Sequence, residues 1–243
     1  MDTSGLRQWK LVAEIHYPGS ASIFDKRGQL VQSFGRGRSL KWRIADNRVQ
    51  LYDEKRQLTA FGSHDSAGIS VEAPATADFF NESAQQWFGV LLPELGVSRL
   101  NRISVRSLLL LPQPDFADLT GKLRTVLDRD GASLWTAFGL EPVDLGFAFL
   151  FEQGRAKISL ELGPMKKAEV EGDFESDSVV QKLPEILVFA DFRYFESNPE
   201  FDRKSLVTDM SRFIKAGCDQ AYERTSALLA SIGGGHDRLE GKA

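Results

Sequence analysis

One cysteine, Cys218, and three histidines, His16, His64 and His236, are all that 243 residues offer of two side chains central to zinc binding and nucleophilic catalysis. A single thiol excludes an internal disulfide and a multi-cysteine zinc site. The histidines are scattered too widely for zinc-ligand spacing. No apolar run reaches the 18 or so residues of a membrane span; Leu108–Leu111 and Leu145–Phe151 are strand-sized. Met1-Asp2-Thr3-Ser4-Gly5 lacks the basic-then-apolar order of a secretory signal. Cations are not in excess either, and a net charge of −4 argues against a chain that coats nucleic acid over its whole surface. The expectation is a soluble, cytoplasmic protein with no membrane partner.

What is present is ordinary for a globular chain: 42% hydrophobic and 26% charged residues. At this length folding buries about 70% of the extended surface, enough to stabilise a core without disulfides or a metal. Trp9, Leu11, Ala13, Ile15 and Tyr17 alternate with Lys10, Glu14 and His16, a half-buried strand ending at Pro18-Gly19. Ser22-Ile23-Phe24 and Gln29-Leu30-Val31 flank Asp25-Lys26-Arg27-Gly28, which reads as a hairpin. Leu40, Trp42 and Ile44 alternate with Lys41 and Arg43; Val49–Tyr52, Leu58–Phe61 and Ile69–Ala73 complete a meander.

The period then changes. From Thr76, a candidate N-cap, Phe80, Ala84, Trp87, Phe88 and Leu91 fall at helical spacing, with an end expected at Pro93. Ile103–Leu111 is a strand whose end is apolar on both faces and so belongs in the middle of a sheet. Asp115 can cap a helix through Phe116, Leu119, Leu123, Val126 and Leu127. Strands return at Leu145–Phe151, Ala156–Leu162 and Ile186–Tyr194. A long amphipathic helix follows, through Leu206, Met210, Phe213, Gly217, Ala221, Leu228 and Ile232. Gly233-Gly234-Gly235 ends it. The fold class is α+β: an antiparallel sheet covered on one side by helices. The order is compatible with two related lobes, a strand-rich one at 1–112 with one helix and a second at 113–235. A disordered tail at 236–243 is expected. Ile23–Leu30 also echoes Leu51–Leu58, consistent with two basic hairpins of one design.

Nine cations lie between Lys26 and Arg56 against three anions. Arg36 and Arg38 in a glycine-rich loop, with Lys41 and Arg43 on one strand face and Trp42 on the other, are candidate contacts for anions or single-stranded nucleic acid. The competing reading is that these cations keep exposed strand faces soluble and edges unpaired. Glu169, Glu171, Asp173, Glu175 and Asp177 occur at every second position. EF-hand spacing is absent, so they read as a solvated acidic loop and a candidate contact for a basic protein partner.

Ser63-His64-Asp65 has no nucleophile elbow to complete a hydrolase site. Cys218 reads as a buried, inert thiol. Gly233–Gly235 follows a helix where a phosphate loop must precede one. Asp191 and Arg193 read as an ion pair on a strand. No catalytic residue, metal site or cofactor is expected.

The element order resembles a sporadically distributed family of uncharacterised bacterial proteins of about this length. The resemblance rests on the first strand, Leu11 to Pro18, on Val49–Phe61 leading to Pro74 and an aromatic-rich helix, and on Gly96–Ile103 entering a central strand. A terminal strand and long helix complete it. It implies a fold and a bacterial cytoplasmic setting, and no reaction; Gly35–Arg38 and Glu169–Asp177 are not part of it.

Three functions stay open at this point. The first is a non-enzymatic protein-binding module or adaptor, steered by segregated charge. The second is nucleic-acid binding through residues 26–56. The third is a carrier of small apolar ligands with a pocket between sheet and long helix. An exposed strand edge is also compatible with a homodimer.

Overall fold

The computed structural model describes residues 1–35, 40–45, 48–127 and 144–233, with the side chains of 125–127 outside that set. Nine strands form one sheet: β1 (Arg7–His16), β2 (Lys41–Ile44), β3 (Arg48–Asp53), β4 (Leu58–Ser63), β5 (Ser66–Glu72), β6 (Arg102–Pro112), β7 (Phe147–Gln153), β8 (Ala156–Lys166) and β9 (Ile186–Ser197). Their spatial order is β2-β3-β4-β5-β1-β6-β9-β8-β7, and every neighbouring pair is antiparallel. The expected α+β class with an antiparallel sheet is the observed one. β6 lies between β1 and β9, the interior place that its doubly apolar end predicts.

Four helices cover the first face: α1 (Ser22–Gly35), α2 (Ala77–Leu95), α3 (Phe116–Leu127) and, after two short helices described below, α6 (Leu206–Gly233). Thr76 caps α2 as expected, its hydroxyl accepting the Phe79 N–H at 3.2 Å. The helix does not stop at Pro93; it runs to Leu95 and closes at Gly96, whose φ of 67° is the left-handed conformation that glycine tolerates. Burial of Leu91, Leu92 and Leu95 holds that last turn despite the proline.

The hairpin expected at Ser22–Val31 is instead α1. Ile23, Leu30 and Phe34, seven and then four residues apart, are the buried stripe of a helix, and Phe34 meets Trp87 of α2 edge-on at 5.0 Å. The strand reading fails because Phe34 extends the pattern at helical spacing.

Helix α6 spans two packed clusters. Leu206, Met210, Phe213, Ile214 and Cys218 join β1, β3–β5, α1 and α2; Ala221 and Leu229 join β6–β9 and α3. Gly217 lets it approach β6 closely. A Cβ there would lie 3.0 Å from Val105 Cβ and 3.1 Å from Tyr194 Cδ1.

The second face has its own cover, so helices do not lie on one side alone. Two short helices, α4 (Lys167–Val170) and α5 (Asp177–Val180), with a 3-10 turn at Glu171–Asp173, place Val170, Phe174, Val179 and Leu183 on Leu108, Leu110, Leu187 and Phe189. The solvated loop expected over Glu169–Asp177 is therefore an amphipathic cover. Its evenly spaced carboxylates mask the apolar residues between them.

Gly217→Ala is expected to destabilise the protein by about 1 kcal/mol, overpacking outweighing the helical preference for alanine. Gly28→Ala in α1, where a Cβ meets nothing within 4 Å, should stabilise it by about 0.5–1 kcal/mol. Urea unfolding of the two variants should shift the midpoint in opposite directions.

Candidate functional site

The second face carries the charge of the sheet. In β1, Lys10 stands directly opposite Glu72 of β5. Their side chains are 8% and 5% exposed, and Nζ lies 3.0 Å from Oε1. A buried pair of this kind persists only when its remaining hydrogen-bonding capacity is used. Lys10 Nζ donates to the Asp173 carbonyl at 2.7 Å. Glu72 accepts the N–H groups of Glu175 at 2.7 Å and Ser176 at 3.0 Å. One ion pair thus pins the backbone of 173–176 to the sheet.

That anchoring forms a cleft of about 480 Å³ between the segment and the β3–β4 hairpin. Glu175 and Asp177 line one side, and Asp53, Glu54, Tyr52 and Thr59 the other. Thr59 Oγ1 donates to Glu175 Oε2 at 3.3 Å. Lys41 also lines the cleft, but its ammonium is paired with Glu54, and Glu72 is neutralised by Lys10. Asp53 faces Arg56 at 3.9 Å. Glu175 and Asp177 keep their charge uncompensated by any described ion pair. Among the described residues no three His, Cys, Asp or Glu side chains converge to hold a metal ion. The lining suits an extended cationic group.

A second network runs across β6 and β9. Arg106 Nε donates to both oxygens of Asp191 at 3.0 Å, its outer nitrogen to Asp173 at 2.9 Å, and Arg193 reaches Asp191 at 2.7 Å. Asp191 is 3% exposed. Burial alone would raise its pKa, but hydrogen bonds from Arg193 and Arg106 outweigh it and hold the carboxyl below its ordinary range. The Asp191–Arg193 pairing expected from sequence is present, with Arg106 as a third member.

The five alternating carboxylates are divided among different tasks. Glu169 accepts the Lys166 N–H and closes the start of α4; Glu171 is exposed; Asp173 belongs to Arg106; only Glu175 and Asp177 meet at the cleft. The basic stretch divides likewise. Arg36 and Arg38 lie outside the described residues, as do Asp46 and the tail from His236. Lys26 pairs with Glu94 of α2, Arg27 donates to the Ala45 carbonyl, and Arg48 stacks 4.0 Å over the Phe61 ring. Lys41 and Arg43 do share a face of β2, opposite Trp42.

Ser63 is taken up in a turn, its hydroxyl accepting the N–H groups of Asp65 and Ser66, while His64 faces Asp65 at 3.6 Å. Cys218 is buried, which pushes its thiol up to about 12. Where α6 crosses β6, Gly217 packs closely on Val105 and Tyr194. Sequence reasoning missed Asp53, Glu54, Lys10 and Glu72. Their signal is strand register, which appears only once partners are known.

The depressed pKa of Asp191 makes a pH prediction. Its contribution to stability is complete above the ordinary carboxylate range and is lost as pH falls through the lower folded value. Asp191→Asn should therefore flatten the acid limb of the stability–pH curve. It should cost about 2 kcal/mol at neutral pH, less than the roughly 3–5 kcal/mol of a broken fully buried pair because both guanidiniums reach solvent. Urea titrations between pH 2 and 7 check both statements. Glu72→Gln should in addition speed hydrogen exchange at the Glu175 and Ser176 amides, since a neutral amide is the weaker acceptor.

No helix among the described residues is long and apolar enough to cross a membrane. In comparisons with known proteins, no protein-family model and no curated protein matches the chain.

Proposed function

We propose that this chain is a protein-binding module whose acidic cleft takes a lysine- or arginine-rich segment of a partner. The observation that carries the reading is the meeting of Glu175 and Asp177 with Asp53 and Glu54 around one groove whose lining lysine is already paired. A cationic side chain entering there gains attraction chiefly from Glu175 and Asp177, the two lining carboxylates in no described ion pair, while its stem rests on Tyr52 and Leu58. The proposal includes the bacterial, cytoplasmic setting implied by the sequence resemblance, and an adaptor role rather than a reaction.

A specific feature also favours nucleic acid as a second reading. Trp42 is 59% exposed on a strand whose other face presents Lys41 and Arg43, and single strands bind where bases can stack beside cations.

The test uses fluorescein-labelled octa-arginine as the probe. Glu175→Gln/Asp177→Asn should weaken binding about threefold to tenfold at low ionic strength, the size expected for two exposed pairs. Glu169→Gln/Glu171→Gln, which removes equal charge outside the cleft, should leave it unchanged. Equal loss in both double variants would reduce the effect to net charge and sink the cleft reading. A labelled single-stranded oligonucleotide whose affinity falls steeply with salt and with Arg43→Ala would favour the second reading.

A further inference from the structure

We infer that β7 is the seam of a two-fold homodimer, formed when the β7 strands of two copies pair antiparallel and continue the sheet. The sheet is open, and its two edges differ. β2 has four residues and carries Lys41 and Arg43 on one face. Shortness and cations are the usual protection of an edge. Self-pairing of β2 would also set these cations against their own copies.

β7 has neither protection. It is seven residues long, and Phe147-Ala148-Phe149-Leu150-Phe151 carries no charge and no proline. Its register with β8 is continuous, without a bulge. Among the described residues no strand lies on its outer side. Leu150 is 65% and Phe151 47% exposed.

The register says which backbone groups are free. Gln153 and Ala156 flank a two-residue turn in which Gly154 has φ 61°, so they form a hydrogen-bonded pair. Alternation along an antiparallel ladder then turns Phe151, Phe149 and Phe147 toward β8, and leaves the N–H and C=O of Ala148, Leu150 and Glu152 directed outward.

An axis through Leu150 satisfies all three. Leu150 then pairs with its own copy, and Ala148 with Glu152 of the other chain. On the first face Phe149 stands opposite Phe151 of the other copy. The rings of Phe147, Phe149 and Phe151 already stack at 6.1 and 5.9 Å within one chain, and the dimer would double that row. The single charge on the seam, Glu152, falls opposite an alanine and lies 3.6 Å from Lys157 of its own chain. The strand is self-complementary in its backbone hydrogen bonds, and the pairing sets no like charges directly opposite each other. A seam of one strand per copy falls short of the roughly 800 Å² per partner of a standard interface, so micromolar dissociation is expected.

Sedimentation velocity on the full chain over a concentration series up to about 200 µM, well above micromolar dissociation, tests this. Wild type should pass from monomer to dimer and stop there. Leu150→Lys, at an exposed position where the fold tolerates a charge, should raise the dissociation constant at least tenfold by opposing two lysines on the axis. Hydrogen exchange supplies the residue-level readout: the amides of Ala148, Leu150 and Glu152 should slow with concentration, while those of Phe149 and Phe151 stay protected throughout. A wild type that remains monomeric, a dimer indifferent to Leu150→Lys, or assembly that continues past two copies would each overturn the proposal.

Discussion

The carboxylate of Glu72 is the point on which the second face depends. It sits in the sheet beside Lys10 and spends its oxygens on that ammonium and on two backbone N–H groups from a segment a hundred residues later. A buried pair of this sort is about neutral in stability against well-packed apolar side chains. Its effect is positional. With 173–176 fixed, Phe174 and its neighbours lie over Leu108, Leu110, Leu187 and Phe189. β6 and β9 can then be apolar on both faces in a sheet that has helices of useful length on only one. The acidic cleft and the second charge network follow from the same fixation, since Glu175 and Asp173 are themselves among the anchored residues.

Two segments of the chain show why local pattern runs out. Ile23–Leu30 and Leu51–Leu58 share an apolar residue at each end, seven positions apart, with charged residues between. The first is two turns of helix, burying Ile23 and Leu30 against α2; the second is a hairpin, burying Leu51 and Leu58 on adjacent strands. Seven residues bring two side chains to one face by either route. What separates them is the continuation: Phe34 follows at helical spacing after Leu30, whereas Ala60 follows at strand spacing after Leu58. The turn itself was no guide, for the hairpin carries its positive φ at Gln57 and the glycine lies in the helix.

Legibility elsewhere followed the reach of each interaction. Elements with long, clean periods, such as β1, β6, α2 and α6, were readable because one face of each meets a continuous core. Asp191 with Arg193 was readable because the partners are two residues apart on one strand. Arg106, which completes that cluster, lies on another strand and depended on register. The carboxylates from Glu169 to Asp177 were visible as a pattern, and the pattern misled: alternation by twos suggested one solvated row, while the buried residues beneath, Val170, Phe174 and Val179, are spaced by four and five. Asp53 and Glu54 looked like an ordinary turn until the fold brought the segment beside them.

Cys218 has a consequence for work on this molecule in solution. Its sulfur is sealed where α6 lies against β1 and β6, and burial keeps it protonated. A thiol reagent therefore meets nothing on the closed protein, and modification must wait for the helix to lift. The pace of that reaction is a built-in gauge of how often the seam between helix and sheet opens. A cysteine placed anywhere on the exterior would be labelled long before it.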